Sequence, residues 1–158
     1  MIYIGVDPGA TGGFAVIMVD GADGERVDTA VGAMEDGCFF RTMRAVADDR
    51  LIDKFAIVEQ VGSMPKQGVA STFKLGKQAG LIEGALSALK IPYQLVVPRK
   101  WKAEFGLNSD KAKSCEVCKR LFPNVDLKRT KKCRKDHDGM AEALLMAEYA
   151  RRISGRNE

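Results

Sequence analysis

The stretch Ile2-Tyr3-Ile4-Gly5-Val6-Asp7-Pro8-Gly9-Ala10-Thr11-Gly12-Gly13 begins as an apolar strand and ends as a glycine-rich turn, with one carboxylate, Asp7, at the junction. Backbone N–H groups of such a turn can cradle a phosphate, a carboxylate at a strand end can hold a divalent metal, and an Asp there can simply cap a turn. The next segment, Gly13-Phe14-Ala15-Val16-Ile17-Met18-Val19, reads as a second strand, so the glycine turn closes a hairpin.

Working outward, a third strand is expected near Val27 to Met34, after the turn-rich Asp20-Gly21-Ala22-Asp23-Gly24. Residues 38 to 50 have helical spacing with Phe40, Met43 and Val46 on one face. Phe55-Ala56-Ile57-Val58-Glu59 is then a second apolar run that ends in an acid. A long helical pattern runs from Ser71 through Leu89, and its small residues Gly76, Ala79, Gly80, Gly84 and Ala85 are expected to let it pack closely on a neighbour. Tyr93 to Val97 is a strand stopped by Pro98, which can also open a short helix. Ser109 or Asp110 caps a helix to about Phe122, residues 124 to 135 form a basic loop, and a last helix runs from about Asp138 to Ile153. An antiparallel start followed by strand-helix alternation implies an α/β fold, a mixed five-stranded sheet with helices on both faces, in one domain over residues 1–158.

Composition limits the function classes. Hydrophobic residues make up 46% of the 158 and charged residues 29%, as in ordinary globular chains. No apolar run reaches the length of a membrane span, and the N-terminal segment meets an acid too early for a signal peptide, so no membrane role and a cytoplasmic location are expected. The net charge of +4 is unevenly placed: residues 99 to 135 hold 13 basic and 4 acidic side chains, a block of +9 between two mildly acidic flanks. That is either a solvated surface or the footprint of a phosphate-backbone binder. Cys115-x2-Cys118 followed by Cys133-x3-His137 has a spacing used for zinc. However, Cys115 and Cys118 fall within a segment whose apolar residues recur three and four apart, so they are expected to be small core residues and zinc is not expected.

The acids form a constellation. If the strands ending in Asp7 and Glu59 pair in parallel, their carboxylates lie side by side, outside the strand ends where open α/β sheets bind ligands. Asp138 and Glu142, four apart, share one face of the last helix. Carboxylates brought together repel unless a cation joins them, and their hard oxygens select Mg²⁺ or Mn²⁺. Two such ions about 4 Å apart activate a water and stabilise the leaving oxygen of a phosphodiester. The chemistry implied is phosphodiester hydrolysis on nucleic acid, with the glycines after Asp7 leaving room for the backbone to turn beside DNA.

Taken in order, Ile4-Gly5-Val6-Asp7-Pro8-Gly9, Val58-Glu59-Gln60, Phe73-Lys74-Leu75-Gly76, Val97-Pro98-Arg99-Lys100-Trp101-Lys102 with Phe105-Gly106-Leu107, and Asp138-Gly139-Met140-Ala141-Glu142-Ala143-Leu144 resemble the RuvC-type Holliday junction resolvases of the ribonuclease H-like superfamily, most closely their phage-type members. The resemblance implies a βββαβαβα fold, a homodimer, and paired Mg²⁺-dependent nicks across a four-way DNA junction in a bacterial cell, with a role in recombination and repair. By position, Asp7 and Glu59 match the family's first two metal-binding acids, and Lys102 matches a basic residue near the scissile phosphate. Lys111 sits where another backbone contact is expected, and Lys74, Arg99 and Lys100 are further basic residues of the matching segments. Residues Ser63 to Ala70, with Met64 and Lys66, fall in the loop that probes the junction centre; Phe73 either joins them or packs in the core. The pattern departs at its end. The family carries two acids three apart before Ala-Leu, whereas here Glu142 precedes Ala143-Leu144 and Gly139 stands three earlier, leaving the fourth ligand to Asp138, Asp136 or His137.

Three other readings share parts of this sequence. A nuclease of broader branched DNA, such as flaps and forks, uses the same acids. A junction-binding module without cleavage does not need them. The sugar-kinase and actin-like ATPases share Asp-x-Gly-x-Thr-Gly, but they need a second such domain.

Overall fold

Strands β1 (Ile2–Val6) and β4 (Lys54–Glu59) run parallel in one register, from Ile2 beside Lys54 to Val6 beside Val58, so Asp7 and Glu59 leave the sheet together. The computed structural model describes residues 1–19, 25–63, 68–108 and 111–155, with the side chains of Arg26, Val27 and Lys111 left aside. Met64, Lys66, the Ser109/Asp110 cap and the turn at residues 20–24 lie outside the described residues, as does the side chain of Lys111. Strands β2 (Gly13–Val19) and β3 (Arg26–Ala33) extend the sheet antiparallel on one side of β1, and β5 (Tyr93–Val96) pairs parallel with β4, giving the order β3-β2-β1-β4-β5.

Alternation along the strands feeds two cores. Ile2, Ile4 and Val6 point with Val16 and Val58 to the face covered by helices α1 (Phe39–Asp48) and α2 (Val69–Ala88), through Phe39, Met43, Ile82 and Leu86. Tyr3, Ala15, Ile17 and Ile57 point to the other face, covered by α3 (Pro98–Glu104), α4 (Lys111–Leu121) and α5 (Asp138–Ser154). The expected mixed five-stranded sheet with helices on both faces is the observed fold. Pro98 opens α3 at its first turn, where its missing N–H costs nothing.

Helix α5 lies directly on the sheet, and every residue from Gly139 to Ala150 is buried. A Cβ on Gly5 would stand 2.0 Å from the Ala143 carbonyl oxygen and 2.4 Å from the Ala147 nitrogen. At the helix start, Gly12 and Gly139 form a parallel bridge, and a Cβ on Gly13 would meet Gly139 O at 2.6 Å. Gly5 and Gly13 therefore make room for α5, while Gly12 closes the turn tightly on Asp7 and Gly9.

Three helix expectations also change. The buried stripe of α1 is Phe39, Met43 and partly Val46, at i, i+4 and i+7, with Phe40 half exposed, because it is Phe39 that packs edge-on against Phe14 of β2, centroids 5.6 Å apart. Phe73 is 71% exposed on α2, so it is not a core residue. Gly76, Gly80 and Gly84 have nothing within 4 Å of an added Cβ, so they pack against none of the described residues. Ala79 is the buried small residue of that helix.

Gly5→Ala is expected to destabilise the fold by at least about 3 kcal/mol, the upper end for overpacking, because the obstructing atoms are helix backbone rather than a movable side chain. Urea unfolding checks this. A loss under about 1 kcal/mol would show that α5 can shift, and with it the acids it carries.

Candidate active site

Asp7 stands where β1 gives way to the glycine turn. Its Oδ1 accepts the Gly9 N–H at 3.0 Å while its own N–H donates to Gly13 O at 2.9 Å. The turn-capping role therefore holds, and it fixes the carboxylate at the strand end beside Glu59. Glu59 accepts a hydrogen bond from Trp101 Nε1 at 2.9 Å, delivered by the fully buried indole of α3. From the opposite side, α5 presents Glu142, only 5% exposed, whose Oε1 takes Lys102 Nζ at 2.8 Å and Ser114 Oγ at 3.3 Å.

These groups feel one another. Burial raises the Glu59 carboxyl from 4.5 to about 7; the Trp101 hydrogen bond opposes the rise, the Asp7 and Glu142 charges add to it, and Lys102 offsets part of it. Asp7, Glu59, Glu142 and Lys102 are thus one electrostatic unit at the C-terminal ends of β1 and β4. Asp138 is held apart, its Oδ1 accepting the Cys115 thiol at 3.6 Å. The remaining alternatives for a fourth ligand are also engaged: Asp136 pairs with Lys119, and His137 Nδ1 caps α5 by accepting the Met140 N–H at 3.2 Å.

The donor set is carboxylate oxygen, which matches a hard divalent cation, and burial, with the smaller repulsion from Asp7 and Glu142, disfavours the charged Glu59 that such an ion would stabilise. Among the described residues no three His, Cys, Asp or Glu side chains stand close enough to hold a metal; Glu59 accepts instead from Trp101, and Glu142 from Lys102 and Ser114. The cysteines have other surroundings. Cys118 is in the core with its thiol pushed by burial up to about 12, Cys115 is pushed up to about 11 by burial and by Asp138, and Cys133 lies 3.3 Å from Thr130 Oγ1.

Of the basic residues singled out in the sequence, Lys102 is in the site, and Arg99 shares with it a cleft of about 480 Å³ that also includes Asn108. Lys100 is exposed on the same helix, while Lys74 lies across the sheet on α2. Trp101 and Ser114 were missed as site residues. The one signal for Trp101 was its place beside Lys102, and Ser114 gave none.

No protein-family model matches the chain, and no curated protein matches it in sequence. Solved structures do. Thermus thermophilus RuvC in complex with a Holliday junction substrate superposes with a TM-score of 0.60 at 18% identity, over 93% of this chain and 90% of that one. The fold is that of RuvC. A second Thermus thermophilus RuvC structure gives 0.56 at 21% identity over 97% of both chains. The fowlpox virus Holliday junction resolvase gives 0.57 at 14% identity over 97% of this chain and 99% of that chain. The superpositions span nearly the whole chain, whose sheet runs β3-β2-β1-β4-β5.

Glu59 gives the site a pH signature. Its carboxyl titrates at 4.5 when unperturbed and near 7 in the fold, so between those values the folded protein keeps a proton that the unfolded chain has lost. Its contribution to stability is present below pH 4.5 and is lost as pH rises through about 7. In EDTA, Glu59→Gln is expected to be more stable than the parent at pH 8, by on the order of 2 kcal/mol, and no more stable at pH 4.5. Thermal unfolding at the two pH values measures it; an equal effect at both would assign the change to packing.

Proposed function

We propose that the chain is a metal-dependent endonuclease that resolves four-way DNA junctions by paired nicks. The observation that carries the reading is the side-by-side exit of Asp7 and Glu59 from parallel neighbours in a RuvC fold, with Glu142 of α5 near enough to perturb Glu59. The solved RuvC of similar fold is bound to a Holliday junction, which supports branched DNA as the substrate class.

Asp7, Glu59 and Glu142 would hold Mg²⁺, with Mn²⁺ as a substitute and Asp138 as a further donor. When bound, the ion supplies an activated water and charge stabilisation at the phosphodiester. The chain's own residues do the rest. Trp101 orients Glu59 through its N–H, and Ser114 and Lys102 orient Glu142. The Lys102 ammonium, 17% exposed, is shared between Glu142 and the cleft it forms with Arg99, so it can move toward a phosphate entering that cleft. Arg99 and Lys100, exposed on the first turn of α3, and Lys111 and Lys74 would grip the backbone on either side, with Met64 and Lys66 toward the junction centre.

A homodimer belongs to this reading. Its support is the outer face of α2, where Gly76, Gly80 and Gly84 leave space beside the exposed Val69 and Phe73. Each helix-interior glycine is less stable than alanine by about 1 kcal/mol, a loss that a close helix contact would offset.

Asp7→Asn is expected to abolish cleavage while sparing junction binding, since it removes a ligand charge without enlarging the side chain. Cutting at the parental rate would remove Asp7 from the site. Lys102→Ala is expected to slow cleavage more than it weakens binding, and equal losses would leave Lys102 an ordinary phosphate contact. The primary assay offers labelled four-way junction, fork and linear duplex with Mg²⁺ or EDTA. Symmetric, Mg²⁺-dependent nicks in the junction alone are the expected result. Equal cutting of forks would widen the activity to branched DNA, and tight binding without cutting would make the chain a recognition module.

A further inference from the structure

On the α1–α2 side of the sheet, a groove of about 320 Å³ opens between the buried Phe39 and Ile82, the half-exposed Phe40 and Leu81, and the lysines Lys74 and Lys77. It reaches the glycine turn that follows Asp7. Ala10, three residues beyond Asp7, lines it, and the 3-10 turn that forms another wall is tied to the glycine turn by the Met34 N–H donating to Gly12 O at 3.0 Å. Helix α2, which supplies the lysines, is the element that follows Glu59 and β4.

The groove's chemistry is specific. Its walls are aromatic and aliphatic, and the Phe40 ring is steadied by an edge contact with Phe39, centroids 5.2 Å apart and planes at 78°. Among the described residues that line it none is acidic and two are lysines, so its charge matches an anionic occupant with an apolar, planar body. A nucleotide has that make-up: a base for the apolar walls and a phosphate for the ammonium groups. We propose that this groove receives an unpaired base of the DNA strand next to the phosphate at the acids, with the phosphate of that nucleotide against Lys74 and Lys77. The proposal rests on the nuclease reading for what brings DNA to this edge of the sheet. It adds a base-accepting pocket on the face opposite α3, so the strand would be held on both sides of the cut.

Binding of fluorescein-labelled octathymidylate, compared with an abasic octamer of the same charge, tests it. The parent is expected to prefer the oligonucleotide with bases by roughly tenfold in Kd, the order of one stacked base. Phe40→Ala should erase the preference while Phe40→Trp keeps it, and Lys77→Ala should weaken both probes alike. Phe40 is half exposed, so its replacement should leave the fold intact, which circular dichroism checks. Equal affinity of the parent for both probes, or a preference that survives Phe40→Ala, would overturn the proposal and leave the groove to a protein partner. Junction cleavage by the parent is scored separately: cleavage without base preference sinks the groove and keeps the nuclease, and base preference without cleavage does the reverse.

Discussion

The contact between helix α5 and strand β1 is the constraint on which the rest depends. Gly5 lets the backbones of Ala143 and Ala147 come so near the strand that a single methyl would displace them, and the Gly12–Gly139 bridge pins the helix start to the turn after Asp7. A helix so placed has no room for a rotation of even one residue. Since Glu142 lies one turn inside α5, its position relative to Asp7 and Glu59 is set by main-chain packing rather than by side-chain choice. Asp7 and Glu59, at the ends of adjacent strands, are placed by the parallel register, and Glu142 is placed by this contact.

Such a site is costly as well as rigid. Carboxylates with little access to water destabilise one another, and Glu59 shows this in its raised pKa. The chain contains the strain with its own donors, Trp101 on Glu59 and Lys102 with Ser114 on Glu142. Trp101 and Lys102 are consecutive on α3, so one short helix, started by Pro98, serves both acids. The ammonium of Lys102 also lies 5.1 Å over the Trp101 ring, which links the two contacts physically. Loss of α3 would take the Trp101 donor from Glu59 and leave Glu142 with Ser114 of α4.

Much of this was legible in the sequence because it depends on local pattern. Apolar runs of similar length that both end in an acid predicted the β1–β4 pairing, and Pro98 marked the start of α3. What escaped depends on tertiary packing. Glycines at positions 5, 13 and 139 look alike in sequence whether they admit a helix or a ligand, and only the placement of α5 decides between them. The spacing of α1 fits Phe40 or Phe39 with Met43 almost equally, at i, i+3 or i, i+4, and only the contact of Phe39 with Phe14 across the sheet face decides between them. Ser114 gave no signal because a hydroxyl in a helix acquires a role only when a buried carboxylate faces it.

The charge distribution shows the same difference between sequence and fold. The block over residues 99–135 carries +9 in sequence, yet part of it is spent internally. Arg129 pairs with Glu35 and Asp36 of the turn after β3, and Lys119 pairs with Asp136. These pairs tie the basic loop and α4 to the frame around the start of α5, and so help position the acids rather than offer free cations. The residues left beside the site, Arg99, Lys100 and Lys102, sit on one helix whose first turn opens at the strand ends. That short cluster opens at the same strand ends as the acids, whereas Lys128, Lys131, Lys132, Arg134 and Lys135 put the rest of the block on the exposed surface.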